Sequence, residues 1–298
     1  MVEEGEMIQL SVVIPCLNGA ATIGVQLDAL ANQQWDQPWE IVVADNGSTD
    51  ESPKIIESYR NRLPNLRVVD ASARRGQPYA LNFGTAAAKG NALAFCDADD
   101  EVASGWVAAM GEALLKYDFV ACRVDFSKLN PPWAQAIFQR HAQQHGRLLR
   151  APFPPYLWHA GGGTLGVKKA LHEAAGGFDE ALPYLHDTDF CFKLQLKGVE
   201  LHLVSEAVLH IRCRDTLSGL LRQARHWAEY TALLYKMYRP VNSKDMWLWK
   251  EFLWQWKGLL RSIPQIRLGR TARARWVWRL GWQLGRLLGS IKYQVPPV

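Results

Sequence analysis

The chain of 298 residues is 48% hydrophobic and 21% charged, which suits a folded globular protein and excludes a disordered or fibrous one. Its five cysteines are scattered with no CxxC pair, which argues against a disulfide framework or a zinc site and for a reducing, cytoplasmic setting. The net charge of +5 is uneven: residues 241–298 hold 11 Lys and Arg against Asp245 and Glu251, a local +9 that leaves −4 for residues 1–240.

Glu3, Glu4 and Glu6 at the start do not make a basic leader, so no secretory signal is expected. Leu10 to Pro15, apolar and β-branched, predicts a first strand that ends at Pro15-Cys16-Leu17-Asn18-Gly19. Ile23, Leu27 and Leu30 recur at helical spacing after Thr22. Ile41 to Ala44 predicts a second strand, ending at Asp45-Asn46-Gly47-Ser48, and Asp50 opens a helix through Tyr59. Leu66 to Val69 is strand-like, Tyr79 to Ala88 helical, and Ala92 to Cys96 a fourth, buried strand. A helix from Trp106 to Tyr117 and a strand from Phe119 to Val124 complete the alternation. Strands alternating with helices imply a mostly parallel sheet covered on both faces, with ligands beyond the carboxyl ends of the strands.

Further on, the pattern predicts a helix from Trp133 to Gln144, the Gly161-Gly162-Gly163 run, a short strand at Leu165 to Val167, and a helix from Lys168 to Ala175. Asp187 is placed to cap a helix from Thr188 to Lys197. Glu200 to Val204 and Ala207 to Ile211 read as two edge strands, and Leu217 to Tyr238 as a long amphipathic helix.

The most informative residues are Asp97-Ala98-Asp99, followed by Asp100, at the end of the fourth strand. Like charges gathered there are costly unless a positive partner joins them. A divalent cation suits, because hard cations prefer carboxylate oxygens and share them with phosphates. Strand alternation is expected to aim Asp97 and Asp99 to one side, with Ala98 turned away.

Five segments in order then resemble a known group: Val12-Val13-Ile14-Pro15-x-x-Asn18, Asp45-Asn46-Gly47-Ser48-Thr49-Asp50, Asp97-Ala98-Asp99-Asp100, Gly177-Phe178-Asp179-Glu180 and Asp187-Thr188-Asp189-Phe190. Together they are similar to family 2 glycosyltransferases of the GT-A fold, over roughly residues 9 to 215. The resemblance implies an α/β, Rossmann-like, mostly parallel sheet flanked by helices, with a helical C-terminal extension. It divides the chain into a catalytic domain at 1–215, with a nucleotide-binding half to about 125 and an acceptor half at 126–215, and an extension at 216–298.

The activity implied is inverting, metal-dependent transfer from a nucleotide-sugar donor, UDP-linked, to a hydroxyl acceptor such as a lipid-linked or polysaccharide precursor. On this resemblance Pro15, Asn18, Asp45, Arg75 and Asp97 bind the nucleotide, although a solvated surface pair of Arg74 and Arg75 explains Arg75 equally well. Asp45 accepts from the base, a task that suits an acceptor-only carboxylate, although an Asx-turn alone also explains it. Asp97 and Asp99 hold Mg²⁺ or Mn²⁺, and His210 either completes the metal shell or is structural. Asp187 is the base that takes the acceptor proton. Gly161, Gly162, Gly163 and His186 border the sugar and acceptor, with His186 standing where relatives often carry Glu.

Two other classes remain in view. A sugar nucleotidyltransferase needs a longer basic loop after the first strand than Cys16-Leu17-Asn18-Gly19. A catalytically silent scaffold would not need Asp97, Asp99 and Asp187 together.

The tail holds seven of the 13 tryptophans, and Trp276, Leu280, Leu284, Leu287 and Ile291 fall on one helical face flanked by Arg275, Arg279 and Arg286. This suits contact of residues 241–298 with an anionic membrane surface, peripheral at its inner face. The same face could instead pack on the protein or form a homo-oligomer interface. No recognition motif supports nucleic-acid binding. Gln223-Ala224-Arg225-His226-Trp227 is similar to a processive-synthase signature, but its arginine stands one place early.

Overall fold

The computed structural model describes residues 7–239 and 246–298, so the acidic start and part of the basic tail lie outside the described residues. Two compact units emerge. The first takes the described residues up to Asp125 together with Ala142–Leu148 and His159–Ile211, and the second takes Phe126–His141, Leu149–Trp158 and Arg212–Val298. Residues 126–141 and 149–158, read from the sequence as part of the first domain, therefore group with the C-terminal helices.

An eight-stranded sheet organises the first unit. Its strands are β1 (Leu10–Cys16), β2 (Trp39–Asp45), β3 (Leu66–Asp70), β4 (Ala92–Phe95), β5 (Glu101–Val102), β6 (Phe119–Asp125), β7 (Leu165–Lys168) and β8 (His202–His210). They lie in the order β3-β2-β1-β4-β7-β6-β8-β5. β1 to β4 are mutually parallel, as are β6 and β8; β7 runs antiparallel between β4 and β6, and β5 antiparallel to β8.

Alternate side chains of β1 face opposite layers. Val12, Ile14 and Cys16 join Ile23, Leu27 and Leu30 of α1 (Ile23–Ala31) in the main core. On the other face, α3 (Gln77–Ala87) approaches so closely that a Cβ on Gly84 would lie 2.7 Å from Val13. Pro15, which lacks a donor, sits where this costs nothing, since pairing of β1 with β4 stops at Val13. α2 (Ser52–Ser58), α4 (Trp106–Lys116), α6 (Lys169–Ala174) and α7 (His186–Leu196) complete this unit.

In the second unit, α5 (Pro132–Phe138) packs Trp133 and Ala134 against Leu220 of α8 (Leu217–Tyr238) and Ala274 of α10 (Arg270–Tyr293). α9 (Met246–Arg261) lies between α8 and α10 in the chain. Gly281, Gly285 and Gly289 of α10 meet Ala224, Ala228 and Ala232 of α8. A Cβ on Gly285 would stand 2.1 Å from the Arg225 carbonyl oxygen, so only glycine permits this approach. Among the described residues, no helix is long and apolar enough to cross a membrane.

Several expectations are corrected. The two edge strands are one strand, β8, bulged between Val204 and Val208 and paired on both sides by β6 and β5. The helix expected from Trp133 to Gln144 stops at Phe138, before a short 3-10 turn at Ala142–His145. Asp187 is not the cap of α7; Leu185 holds that place in a left-handed conformation (φ 59°), and Asp187 lies in the first turn. For α10, whose apolar face the sequence leaves open between outward and inward readings, the inward face is the glycine face, and Ile291 stays exposed.

Candidate functional site

Loops after β1, β2 and β4 emerge side by side, because β1 lies between β2 and β4 in the sheet. The Asn18 Oδ1 accepts the Thr49 N–H (2.8 Å), and the Asn18 N–H donates to Ser48 Oγ (3.0 Å), which ties the first two loops together. Asn18 has φ 52°, a region that asparagine tolerates better than most residues. Asp45 Oδ1 accepts the Ser48 N–H at 2.9 Å, closing a turn that leaves its second oxygen at the strand end.

The hub of these loops is Asn46, buried to 2% exposure, which sequence reading passed over. Its amide donates to the carbonyls of Ala71 and Arg74, both at 2.7 Å, and accepts the Gly76 N–H at 2.9 Å. Its backbone carbonyl receives Arg75 Nη1 at 2.8 Å, so Arg75 is held over the Asp45–Gly47 turn. Arg74 turns elsewhere, to Glu180 at 2.8 Å and over the Tyr79 ring.

β4 ends at Phe95, and the chain turns at once, with the Asp100 N–H donating to the Asp97 carbonyl (3.3 Å). This turn, rather than the expected strand alternation, gathers the acids: ligand oxygens of Asp97, Asp99 and Asp100 all lie within 4.8 Å of one another. Ala98 does point inward, into the main core. Gln77 Nε2 donates to Asp97 Oδ1 (2.9 Å) and Gln26 Nε2 to the Asp97 carbonyl (3.3 Å), fixing the turn from α3 and α1.

An all-oxygen set of three carboxylates fits Mg²⁺ or Mn²⁺ rather than a softer metal. His210 stands outside this group. Its Nδ1 lies 2.7 Å from Asp125 Oδ2, and strand pairing sets it opposite Glu101. The pair lines a cavity of about 430 Å³ with Arg123, Gln144 and His145.

The glycine run links the Asp97 turn to Asp187. Gly163 abuts Asp97, since a Cβ there would lie 3.1 Å from Asp97 Oδ2. The adjacent Gly162 donates its N–H to Asp187 Oδ2 at 2.7 Å. Gln143 pins the run from behind, donating to Thr164 Oγ1 (3.0 Å) and accepting from the Gly161 N–H (3.3 Å). Asp187 Oδ1 accepts the Thr188 N–H at 2.7 Å.

His186 is buried with its ring edge-on to Phe178; burial lowers its pKa, and the Asp187 charge opposes that shift. His159, not singled out in the sequence, sits 3.5 Å from Thr188 Oγ1 and is pushed down to about 4 by desolvation, against the pull of Asp187. Both rings are therefore neutral near pH 7 beside Asp187.

The fourth sequence segment is a brace. Asn82 of α3 donates to the Phe178 carbonyl (2.8 Å) and accepts its N–H (2.9 Å).

The family model "Glycosyl transferase family 2" matches residues 11–173. A poly(ribitol-phosphate) beta-glucosyltransferase of Bacillus spizizenii is 34% identical over 125 residues, 41% of this chain and 18% of that protein. An uncharacterized glycosyltransferase of Rickettsia typhi, RT0329, is 26% identical over 245 residues, 80% of this chain and 74% of that one. The glycosyltransferase YibD of Escherichia coli, also uncharacterized, is 37% identical over 94 residues, 32% of this chain. The match covers only 27% of YibD and 18% of the Bacillus spizizenii protein.

Among solved structures, Staphylococcus aureus TarS 1-349 in complex with UDP-GlcNAc aligns over 97% of this chain and 93% of its own, with TM-score 0.55 and 18% identity. The mannosyltransferase PcManGT from Pyrobaculum calidifontis, in complex with GDP-Man and Mn²⁺, aligns over 97% and 88%, with TM-score 0.65 and 19% identity. The fold is therefore the GT-A-type arrangement of sheet and helices.

Proposed function

The chain belongs to glycosyl transferase family 2, and on that premise we propose that it moves a sugar from a nucleotide-sugar donor, UDP-linked, to a hydroxyl acceptor with inversion at the anomeric carbon. The observation that carries this reading is the pair Gly162 and Gly163, one set against Asp187 and the next against Asp97. A carboxylate suited to taking a proton and a carboxylate group suited to a cation thus flank one short loop.

The residues divide the work. Asp45 accepts the N3–H of a uracil base, with Pro15 and Asn18 shaping the pocket and Arg75 adding positive charge beside it. Asp97 and Asp99 would hold Mg²⁺ or Mn²⁺, with the buried Asp100 adding a third carboxylate. When bound, the cation supplies charge neutralisation for the leaving diphosphate.

Asp187 takes the acceptor proton. The hydroxyl oxygen forms its bond to the anomeric carbon, the bond from that carbon to the phosphate oxygen breaks, and its electron pair leaves with the nucleotide. Gly162 and Thr188 N–H groups hold one oxygen each of the Asp187 carboxylate, so its orientation precedes acceptor binding. His159 and the Gly161–Gly163 run border the acceptor side. Nucleotide sugars bound by TarS and PcManGT support the donor class, and the Mn²⁺ of PcManGT supports the metal. The acceptor we infer is a lipid-linked or polysaccharide precursor.

The test is turnover of UDP-glucose, UDP-GlcNAc and GDP-mannose with Mn²⁺, beside calorimetric donor binding. Asp187→Asn is expected to keep donor affinity and lose about 10²-fold or more in transfer rate. Wild-type transfer by that variant would remove Asp187 from the mechanism. A pyrophosphate product would point to nucleotidyl transfer instead.

A further inference from the structure

α9 is oriented by three buried side chains, Leu248, Phe252 and Leu259, on one side of the helix. The opposite side is strongly apolar as well. Trp247, Trp249, Leu253, Trp254 and Leu260 are exposed, Trp254 to 74%, and the turn that follows adds Ile263 and Leu268, the latter 80% exposed. At about 100° per residue, Trp249, Leu253 and Leu260 form one shoulder and Trp247 and Trp254 another. Lys250, Lys257 and Arg261 run between the shoulders.

Trp249 meets buried Phe252 edge-on at 6.1 Å and Trp254 lines a cavity of about 470 Å³ with Trp278 and Trp282, yet both remain exposed with the rest, and soluble proteins rarely leave such patches uncovered. Charge narrows what could cover them. Among residues 246–275 the sole acid is Glu251, half-buried and bonded to Gln255 at 2.6 Å, while Arg267, Arg270, Arg273 and Arg275 are all exposed. A second copy docked through a two-fold axis would bring the cationic stripe onto itself with no acid to meet it. A nucleic acid would satisfy the cations and stack on tryptophans, but it offers nothing to Leu253, Leu260, Ile263 and Leu268. A bilayer surface offers anionic headgroups for the stripe, an interfacial zone for the tryptophans and acyl chains for the aliphatic residues. The absence of a spanning helix among the described residues accords with a helix lying in the surface plane.

We propose that the exposed face of α9, with the following turn, docks on an anionic lipid surface. The proposal stands apart from the catalytic reading, since binding is measured without donor or acceptor.

The experiment is flotation of the full chain with vesicles of phosphatidylcholine containing phosphatidylglycerol, and with phosphatidylcholine alone. The protein is expected to float with the anionic vesicles, to be released as salt rises, and to shift its tryptophan emission to the blue. The exposed pairs Trp247→Glu/Trp254→Glu and Lys250→Glu/Lys257→Glu should each lower partitioning by about tenfold or more, with unchanged circular dichroism. Three results would overturn the proposal. One is wild-type protein that does not float with anionic vesicles. Another is variants that float as well as wild type. The third is a dimer, or a DNA complex, that forms in place of vesicle binding and is abolished by the same substitutions.

Discussion

His172 is enclosed by Phe95, Phe178 and Phe190, with ring centroids 6.1, 5.3 and 5.2 Å away. Burial, with the Lys169 charge as a smaller contributor, pushes its imidazole down to about 4. In the unfolded chain the ring takes its proton near pH 6.5. Between those values the unfolded state binds more protons, so stability falls as pH drops from about 6.5 toward 4, by the order of 3 kcal/mol at most. His172→Leu keeps the pocket apolar and is expected to flatten that slope. Urea midpoints at pH 7 and pH 5 measure it, and parallel losses in wild type and variant would refute the assignment. At this scale the charged motif residues were legible, because carboxylates at strand ends advertise themselves. Asn46, Gln143 and His159 were not. Their partners, such as Ala71, Arg74 and Thr164 for the first two, lie 21 to 28 residues away, and nothing local marks them.

At the scale of elements, the α8–α10 contact depends on missing side chains. Gly285→Ala would place a methyl 2.1 Å from the Arg225 carbonyl and 2.7 Å from Ala228 Cβ. The helices must part, at a cost of about 1–3 kcal/mol. Gly258, within α9, faces only the tip of Arg279 at 3.4 Å. Gly258→Ala should therefore be neutral or stabilise by up to about 1 kcal/mol, since alanine is the better helix former. Thermal unfolding of both variants distinguishes them, and similar melting temperatures would contradict the packing account. Hydrophobic periodicity located α8 at Leu217–Tyr238, because that helix is long and regular. The same reasoning leaves the apolar face of α10 open between a membrane surface and packing, since it weighs apolar side chains and assigns no value to a glycine face. The bulge in β8 and its pairing with the two-residue β5 were illegible for a different reason: both follow from neighbours distant in sequence.

For the whole molecule, the two units interleave along the chain. Residues 126–141 and 149–158 interrupt the first unit and belong with 212–298. A chain ending at residue 215, the boundary suggested by the sequence, keeps every strand of the sheet. It also strips Trp133 and Ala134 of Leu220 and Ala274, and Phe138 of Trp278. Such a truncation is expected to bind a hydrophobic dye and to lose cooperative unfolding, whereas a cooperative, dye-silent product would show that 126–158 folds without the C-terminal helices. The alternating strands and helices made the overall class of fold legible. The interleaving was not, because composition shifts only at the tail and the inserted segments carry no shift of their own.

The Gly162–Gly163 step has a consequence at the level of covalent geometry. Consecutive Cα atoms are about 3.8 Å apart across a trans peptide, a length that packing cannot alter. Because one residue meets Asp187 and the next meets Asp97, a single peptide plane acts as a ruler between the two ends of the site. While the Gly162 hydrogen bond to Asp187 and the close approach of Gly163 to Asp97 both persist, that fixed step limits how far the two carboxylates can separate.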